Sequence, residues 1–329
     1  MSIKLSILEQ STLPENATAA AAIADTLTLA KEADRLGYHR IWLSEHHNLA
    51  ILQGSAPEVL LASIGARTAY IRIGSGGVML PNHSAYRIAE NFRMLEALYP
   101  GRVDCGIGRA SGGDRYSQSL LNPAPSGGGN FTDQVDQLER FFHDECNRAI
   151  AMPMVHSAPP MWLLSAGGHS SSGLLAAEKG MGLAVALFIN PDATVDAVRE
   201  YRKHFVPSHE FPEPRVVIAI NVVCAANEPK LLALKKVSDF FRLMRDSGSY
   251  PHAVPSPQTL EQVQYSADQE SYLGQISNRE VVGLPDDAKK KIIERALRYE
   301  ADEVMLTTMT YDIEDKLDTY RLLAEAFSL

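Results

Sequence analysis

Short apolar runs alternate with amphipathic stretches along nearly the whole chain of 329 residues. The apolar runs predict eight β-strands, at 3–8, 40–44, 71–75, 102–107, 161–165, 182–187, 215–223 and 303–307. Apolar positions at helical spacing between them predict helices at 17–36, 57–68, 85–97, 133–145, 171–179, 192–205, 286–299 and 313–327. Short strands that are apolar throughout are typical of parallel sheets. The alternation therefore predicts an α/β protein, a closed (β/α)8 TIM barrel.

Two segments interrupt this alternation. Residues 110–131 are rich in Gly, Ser and Pro, which predicts a long loop that is most mobile around 126–129. Residues 226–285 lie between the seventh and eighth strands and are too long for a single crossover. Helical patterns near 228–246 and 258–266 indicate a helical insertion over the mouth of the barrel. We therefore expect one domain over 1–329 rather than two.

Composition and charge narrow the class of protein. The chain is 45% hydrophobic with a net charge of −9, and its longest basic run is Lys289–Lys291, which argues against nucleic-acid binding. The three cysteines form no CxxC pair, so neither a disulfide framework nor a thiolate zinc site is expected. No run approaches the roughly 18 apolar residues of a membrane span, and no signal peptide precedes the first strand. We expect a cytoplasmic protein without nucleic-acid or membrane partners.

Titratable side chains follow the second strand directly, as Glu45, His46 and His47. Barrels of this class carry their chemistry where strands end and the following loops begin, which predicts an active-site wall. The alternative is that Glu45 and His46 only hydrogen-bond the backbone of buried loops. Neighbouring residues of a strand point to opposite faces, so the two histidines cannot easily share a metal ion, and no metal site is expected.

Glycines mark the ends of the third and fourth strands. Gly76 and Gly77 indicate either a close approach of the backbone to another group or a turn with positive φ. Gly108 and Arg109 end the fourth strand within a GxGxxxG pattern. That pattern is a weak dinucleotide signal, because a Gly/Ser/Pro loop follows it instead of a helix. An arginine at a strand end is better suited to bind a phosphate.

Small and hydroxyl-bearing residues follow the fifth strand and begin a helix: Gly168, His169, Ser170, Ser171 and Ser172. The free N–H groups and the dipole of a helix N-terminus form a binding site for anions, which predicts that this segment binds a phosphate. The alternative is that one serine only caps the helix.

Several stretches together resemble the bacterial luciferase-like family of flavin-dependent monooxygenases. They are Trp42–His47, Ile71–His83, Leu95–Arg102, Phe131–Val135 and Val304–Asp312, and the resemblance runs through nearly the whole chain. It implies a (β/α)8 barrel with an insertion after the seventh strand, FMN at the carboxyl-terminal mouth and, usually, a homodimer.

The same resemblance assigns residues to roles. His46 matches the active-site histidine beside the flavin, with Glu45 orienting loop groups. Gly76 and Gly77 match a pair joined by a non-proline cis peptide near the flavin ring. Arg109 and the segment 168–172 match the phosphate-binding groups. Gly108 stands where the luciferase catalytic subunit has a reactive cysteine, a departure that argues against light emission.

The resemblance implies an FMN-dependent monooxygenase that uses reduced flavin and O2 on a small organic substrate. The flavin supplies the chemistry, and His46 acts as an acid–base or hydrogen-bonding group. Because the chain has no convincing NAD(P)H fingerprint, we expect a separate reductase to supply the reduced FMN. The alternatives are a non-catalytic flavin-binding protein, a deazaflavin-dependent dehydrogenase of the same superfamily and, least favoured, a metal-dependent hydrolase.

Overall fold

The eight predicted strands form a closed parallel barrel in the computed structural model, which describes residues 3–122, 130–146, 148–166, 170–191 and 193–329. Numbered in chain order, the barrel strands are β1 (Lys4–Glu9), β2 (Arg40–Leu43), β3 (Arg72–Ser75), β5 (Val103–Gly108), β6 (Met161–Ser165), β7 (Gly182–Ala186), β8 (Val216–Cys224) and β10 (Glu303–Thr307). Strand β10 pairs in parallel with both β1 and β8, which closes the sheet. Two short strands, β4 (Val78–Met79) and β9 (Val281–Gly283), pair in parallel with β5 and β8. The predicted TIM barrel is confirmed.

Helices surround the barrel, and most of the longer ones pack an apolar face on it. They are α1 (Ala19–Leu36), α2 (Pro57–Gly65), α3 (Ala85–Leu98), α4 (Arg115–Leu121), α5 (Phe131–Phe142), α6 (Ser170–Glu178), α7 (Val195–His204), α8 (Glu228–Asp246), α9 (Pro257–Glu261), α10 (Ala267–Gln275), α11 (Pro285–Arg298) and α12 (Ile313–Phe327). The ends of α1 follow from its sequence: Thr18 accepts a hydrogen bond from the Ala21 amide, and Gly37 takes the left-handed conformation at φ 86°. None of the described helices combines the length and the apolar character needed to cross a bilayer.

The structure corrects two details of the predicted elements. The segment 110–131 is not loop throughout, because Asp114 accepts a hydrogen bond from the Ser117 amide and begins α4. In the insertion, a helix over 258–266 is wrong: α9 ends at Glu261, and Ser266 begins α10 through a reciprocal cap with Gln269. The predicted mobile tip at 126–129 lies outside the described residues.

Inward-facing side chains change in character from the amino end of the barrel to its carboxyl end. At the amino end, buried Arg40 binds Asp104 at 2.8 Å and Glu303 at 2.8 Å. The middle is apolar and includes Leu8, Trp42, Ala219 and Met305. Because side chains alternate along a strand, the next inward positions are Gln10, Ser44, Asn221 and Thr307. The carboxyl end of the barrel is therefore polar above an apolar floor.

Candidate active site

A cavity of about 290 Å³ opens at the carboxyl ends of the barrel strands, and we call it the mouth cavity. Its floor is the apolar middle of the barrel, including Leu8, Trp42 and Met305. Ser44, Glu45 and His46 contribute one wall. The predicted site residues that line it are Glu45, His46, Gly76, Gly108, Arg109 and Ser172. A mostly apolar cleft with a few convergent polar groups is the usual form of a cofactor or substrate site.

His46 faces the mouth cavity, as the alternation of side chains along β2 predicts. Its Nδ1 lies 3.0 Å from Ser44 Oγ, and its backbone N–H donates to the Gly54 carbonyl at 2.9 Å. Burial lowers the pKa of His46 to about 4, although the nearby Glu45 carboxylate opposes that shift. The imidazole is therefore neutral at neutral pH, so one ring nitrogen can accept a proton and the other can donate one.

Because the His46 imidazole is buried in its neutral form, acidification should lower the free energy of unfolding. The pKa of His46 lies at about 4 in the folded chain against 6.5 for an unperturbed histidine. The unfolded chain therefore binds the extra proton first, and stability falls as the pH drops from about 7 to about 4. Glutamine does not titrate, so the stability of His46→Gln should not include this part of the loss. The amount by which the free energy of unfolding of the wild type exceeds that of His46→Gln should therefore shrink on acidification. Urea denaturation of both proteins across that range tests this, and a pH-independent difference would contradict it.

Glu45 joins the segment after β2 to the segment after β3 at the barrel mouth. Its carboxylate is 1% exposed and accepts hydrogen bonds from His47 Nε2 at 2.7 Å and from His83 Nε2 at 2.9 Å. The Met79 amide donates to its second oxygen at 2.8 Å. Burial alone would raise the pKa of Glu45, but the bonds from the two histidines hold it below its ordinary value. The same bond to Glu45 raises the pKa of His83 despite partial burial.

His47 therefore points away from the mouth cavity, toward Glu45. Its backbone N–H also donates to the Gly112 carbonyl at 2.8 Å, which ties the segment after β2 to the segment after β5. Of the two neighbouring histidines, His46 thus lines the cavity, whereas His47 holds loop segments together.

Gly76 and Gly77 allow β3, β4 and β5 to lie unusually close. A Cβ on Gly77 would stand 2.7 Å from the Gly106 carbonyl oxygen, and a Cβ on Gly106 would stand 2.0 Å from the Ser75 carbonyl oxygen. Neither Gly76 nor Gly77 has a positive φ, so of the two alternatives the close approach is the one found. The peptide bond between Gly76 and Gly77 is cis, which confirms that prediction.

Groups suited to an anion line the mouth cavity after β5 and β6. Arg109 and Ser172 both line it, and Ser172 lies in the first turn of α6, where backbone N–H groups lack helical partners. The guanidinium carbon of Arg109 lies 5.1 Å from the centre of the Phe131 ring, and no carboxylate of the described residues pairs with it. Gly168, His169 and the side chain of Ser170 lie outside the described residues. Ser171 is exposed and does not line the cavity.

The sequence reasoning did not single out Ser44, His83 or Asn82. Asn82 donates to the Ser111 carbonyl at 2.8 Å and lies 3.3 Å from Glu45. Alternation along β2 would have identified Ser44, which shares the inward face with His46. No local signal indicates His83, because its partner Glu45 is 38 positions away. Within the described part of the chain, no group of three or more His, Cys, Asp or Glu side chains is placed to hold a metal ion.

The fold and the cavity define a class of protein: a (β/α)8 barrel with a helical insertion and a polar, histidine-lined mouth. The chain belongs to the luciferase-like monooxygenase family, whose sequence profile matches residues 3–297. It is 41% identical to the uncharacterised protein YwcH of Bacillus subtilis (strain 168), over 99% of each chain. It is also 41% identical to the N-acetyl-S-alkylcysteine monooxygenase of the same organism, over 63% of this chain and 64% of the relative.

Solved structures share the fold. The crystal structure of apo-MsnO8 matches with a TM-score of 0.91 and 35% identity, covering 99% of this chain and 98% of the other. More distant barrels include the oxygenating constituent of 3,6-diketocamphane monooxygenase in complex with FMN, with a TM-score of 0.69 and 17% identity over 99% and 98% of the two chains. An F420-dependent secondary alcohol dehydrogenase matches with a TM-score of 0.65 and 13% identity over 99% of each. At these identities the two distant structures show a common fold only.

Proposed function

We propose that this protein is an FMN-dependent monooxygenase that uses reduced flavin and O2 to oxidise a small organic molecule. The observation that carries the proposal is that a neutral imidazole, Gly76 and a guanidinium that pairs with no carboxylate of the described residues line one cavity at the carboxyl ends of the barrel strands. Membership of the luciferase-like monooxygenase family supports it. The substrate named for the Bacillus subtilis relative, a substituted cysteine, supports a small organic molecule as the substrate.

The residues of the mouth cavity fit a flavin. Its floor offers apolar surface for a planar ring, and Gly76 brings no side chain against that floor, where a Cβ would stand 2.8 Å from Leu8. A side chain on Gly108 would stand 2.8 Å from the end of Met79 and displace it. Arg109 supplies positive charge for a phosphate, and the first turn of α6 supplies N–H groups that have no partner within the helix. We therefore propose that Gly76, Gly77, Gly108, Arg109 and the segment 168–172 hold FMN.

His46 is the proposed catalytic residue. Bound FMN would supply the redox chemistry, while the chain positions it, excludes water and manages protons. His46 is neutral and faces the cavity, so it can hold or move a proton at the edge of the bound flavin. Glu45 positions the loops that carry His46, Met79 and His83, and is not itself the proton carrier, because its oxygens are already bonded.

Arg109→Ala should weaken FMN more than riboflavin. A guanidinium that binds a phosphate makes charge-assisted hydrogen bonds, which are stronger than neutral ones. Losing it should lower FMN affinity about tenfold or more and leave riboflavin, which has no phosphate, nearly unchanged. Fluorescence titration with both flavins measures this, and Arg115→Ala, an exposed arginine of α4 outside the cavity, is the control. Equal losses for the two flavins would remove Arg109 from the phosphate site.

A further inference from the structure

A second chamber of about 180 Å³ adjoins the mouth cavity on the side of the insertion. Both spaces are lined by Gln10, His46, Phe188 and Ile189, so His46 stands between them. The outer wall of the chamber includes Phe241 on α8 and Tyr250 after it. At about 180 Å³ the chamber is smaller than the mouth cavity of about 290 Å³, which favours a compact occupant.

The floor of this chamber is a layer of amide and hydroxyl side chains. Gln10, Asn221 and Thr307 take the inward positions that follow Leu8, Ala219 and Met305 along their strands. Asn221 and Thr307 are direct neighbours across β8 and β10, and all three polar residues line the chamber. Polar side chains at these positions place hydrogen-bonding groups where barrel enzymes bind their ligands.

The hydrogen-bonding capacity of this floor is unused within the described residues. The side chains of Gln10, Asn221 and Thr307 make no hydrogen bond to any of them, although Thr307 is only 5% exposed. A carboxamide has two hydrogen-bond donors and a carbonyl acceptor. The carboxamides of Gln10 and Asn221 together therefore complement a ligand group that both donates and accepts hydrogen bonds. An amide group has this pattern, whereas a carboxylate only accepts.

The charged residues of the chamber do not favour an anion. Arg242 binds Glu280 at 2.6 Å and donates to the Ile276 carbonyl. Arg245 binds Asp246 at 2.9 Å and donates to the Phe188 carbonyl at 3.0 Å. Each guanidinium is thus paired with at least one carboxylate, since Arg242 also lies 3.9 Å from Asp239, and each is bonded to a backbone oxygen. This wall therefore carries no net positive charge to attract a carboxylate.

We infer that this chamber is the substrate pocket and that it recognises an uncharged amide group of the substrate through Gln10 and Asn221. The inference rests on the proposed function in taking the neighbouring mouth cavity as the flavin site. The amide would be held on the polar floor, and the apolar remainder would contact Phe188 and Phe241. Bound in this way, the substrate would lie beside His46, the residue that the two spaces share.

Binding of three matched probes tests the inference: hexanamide, hexanoate and 1-hexanol. Ligand-observed NMR titrations would be made with the protein alone and with the protein saturated with FMN. Hexanamide should bind at least fivefold more tightly than the other two. Asn221→Leu and Gln10→Leu, which nearly keep the side-chain volume, should each weaken hexanamide by about fivefold to tenfold. Gln262→Leu removes an exposed carboxamide of the insertion outside the chamber and should change nothing.

The outcomes separate this inference from the proposed function. FMN affinity is measured for every variant, and Asn221→Leu, whose residue lines the chamber but not the mouth cavity, should retain it within about twofold. If FMN binds normally but hexanamide fails to bind, or binds no better than hexanoate, the amide pocket is wrong while the flavin site stands. If hexanamide binds as expected and FMN does not bind to the wild type, the pocket stands and the proposed function fails. Unchanged hexanamide affinity in both leucine variants would also overturn the inference.

Discussion

Replacing His46 with alanine is expected to lower turnover by roughly 10² to 10⁴, the range typical of a lost acid–base group. The imidazole is the titratable group that stands between the mouth cavity and the second chamber, and burial keeps it neutral by lowering its pKa to about 4. Among the described residues its ring hydrogen-bonds Ser44, a contact within one strand end, so removing the ring should leave the fold intact. FMN affinity should stay within a few fold. Steady-state turnover and a flavin titration on the same preparation measure both quantities.

His47→Ala is the matched control, because the same side chain is removed one position away. His47 bonds Glu45 at 2.7 Å and does not line the cavity, so its loss should act through stability or loop order. Full activity of His46→Ala together with loss of activity in a folded His47→Ala would show that the two roles are reversed. If neither substitution affects turnover, the histidine pair is structural and the non-catalytic alternative gains support.

Gly106→Ala is expected to cost about 3 kcal/mol or more of folding free energy. The added Cβ would stand 2.0 Å from the Ser75 carbonyl oxygen, which belongs to the neighbouring barrel strand and cannot rotate away. The Ser75 hydroxyl also donates to the Gly106 carbonyl at 2.7 Å, so separating β3 from β5 would break that bond. Denaturant unfolding of the two proteins measures the difference in free energy.

Gly274→Ala provides the control for this glycine. Gly274 lies in α10, where a Cβ would meet nothing within 4 Å. Alanine has the higher helix propensity, so this substitution should be neutral or stabilise the protein by up to about 1 kcal/mol. If Gly106→Ala proves as mild as Gly274→Ala, the close packing of β3 and β5 at the carboxyl end of the barrel is wrong.

The barrel could be predicted from sequence because each strand is a short apolar run and most helices carry local end signals, such as Thr18 and Gly37 on α1. The missed helix α4 is short and lies among Gly, Ser and Pro residues, so only its cap at Asp114 marks it. The error in the insertion has a similar cause. Helical periodicity there extends across a real break, and the cap at Ser266 decides where α10 begins.

The alternation of side chains along a strand predicts which residues of the candidate site face the inside of the barrel. His46 follows Trp42 and Ser44 on one face of β2, and the structure places all three at the mouth cavity. The network around Glu45 was not predictable, because His83 and Met79 reach it only through the closed barrel. The second chamber escaped prediction for the same reason: it lies between α8 and strands that are distant in sequence.

The most direct test of the proposed function is the reaction of the FMNH2-loaded protein with O2, followed by rapid-mixing absorbance. If the mouth cavity holds reduced flavin and controls its reaction with oxygen, bound FMNH2 should be oxidised in more than one phase and with kinetics different from those of free FMNH2. His46→Ala should alter the later phase while loading with FMNH2 remains the same. Oxidation in a single phase indistinguishable from free FMNH2 would contradict the account, as would a preference for a deazaflavin over FMN in the binding step.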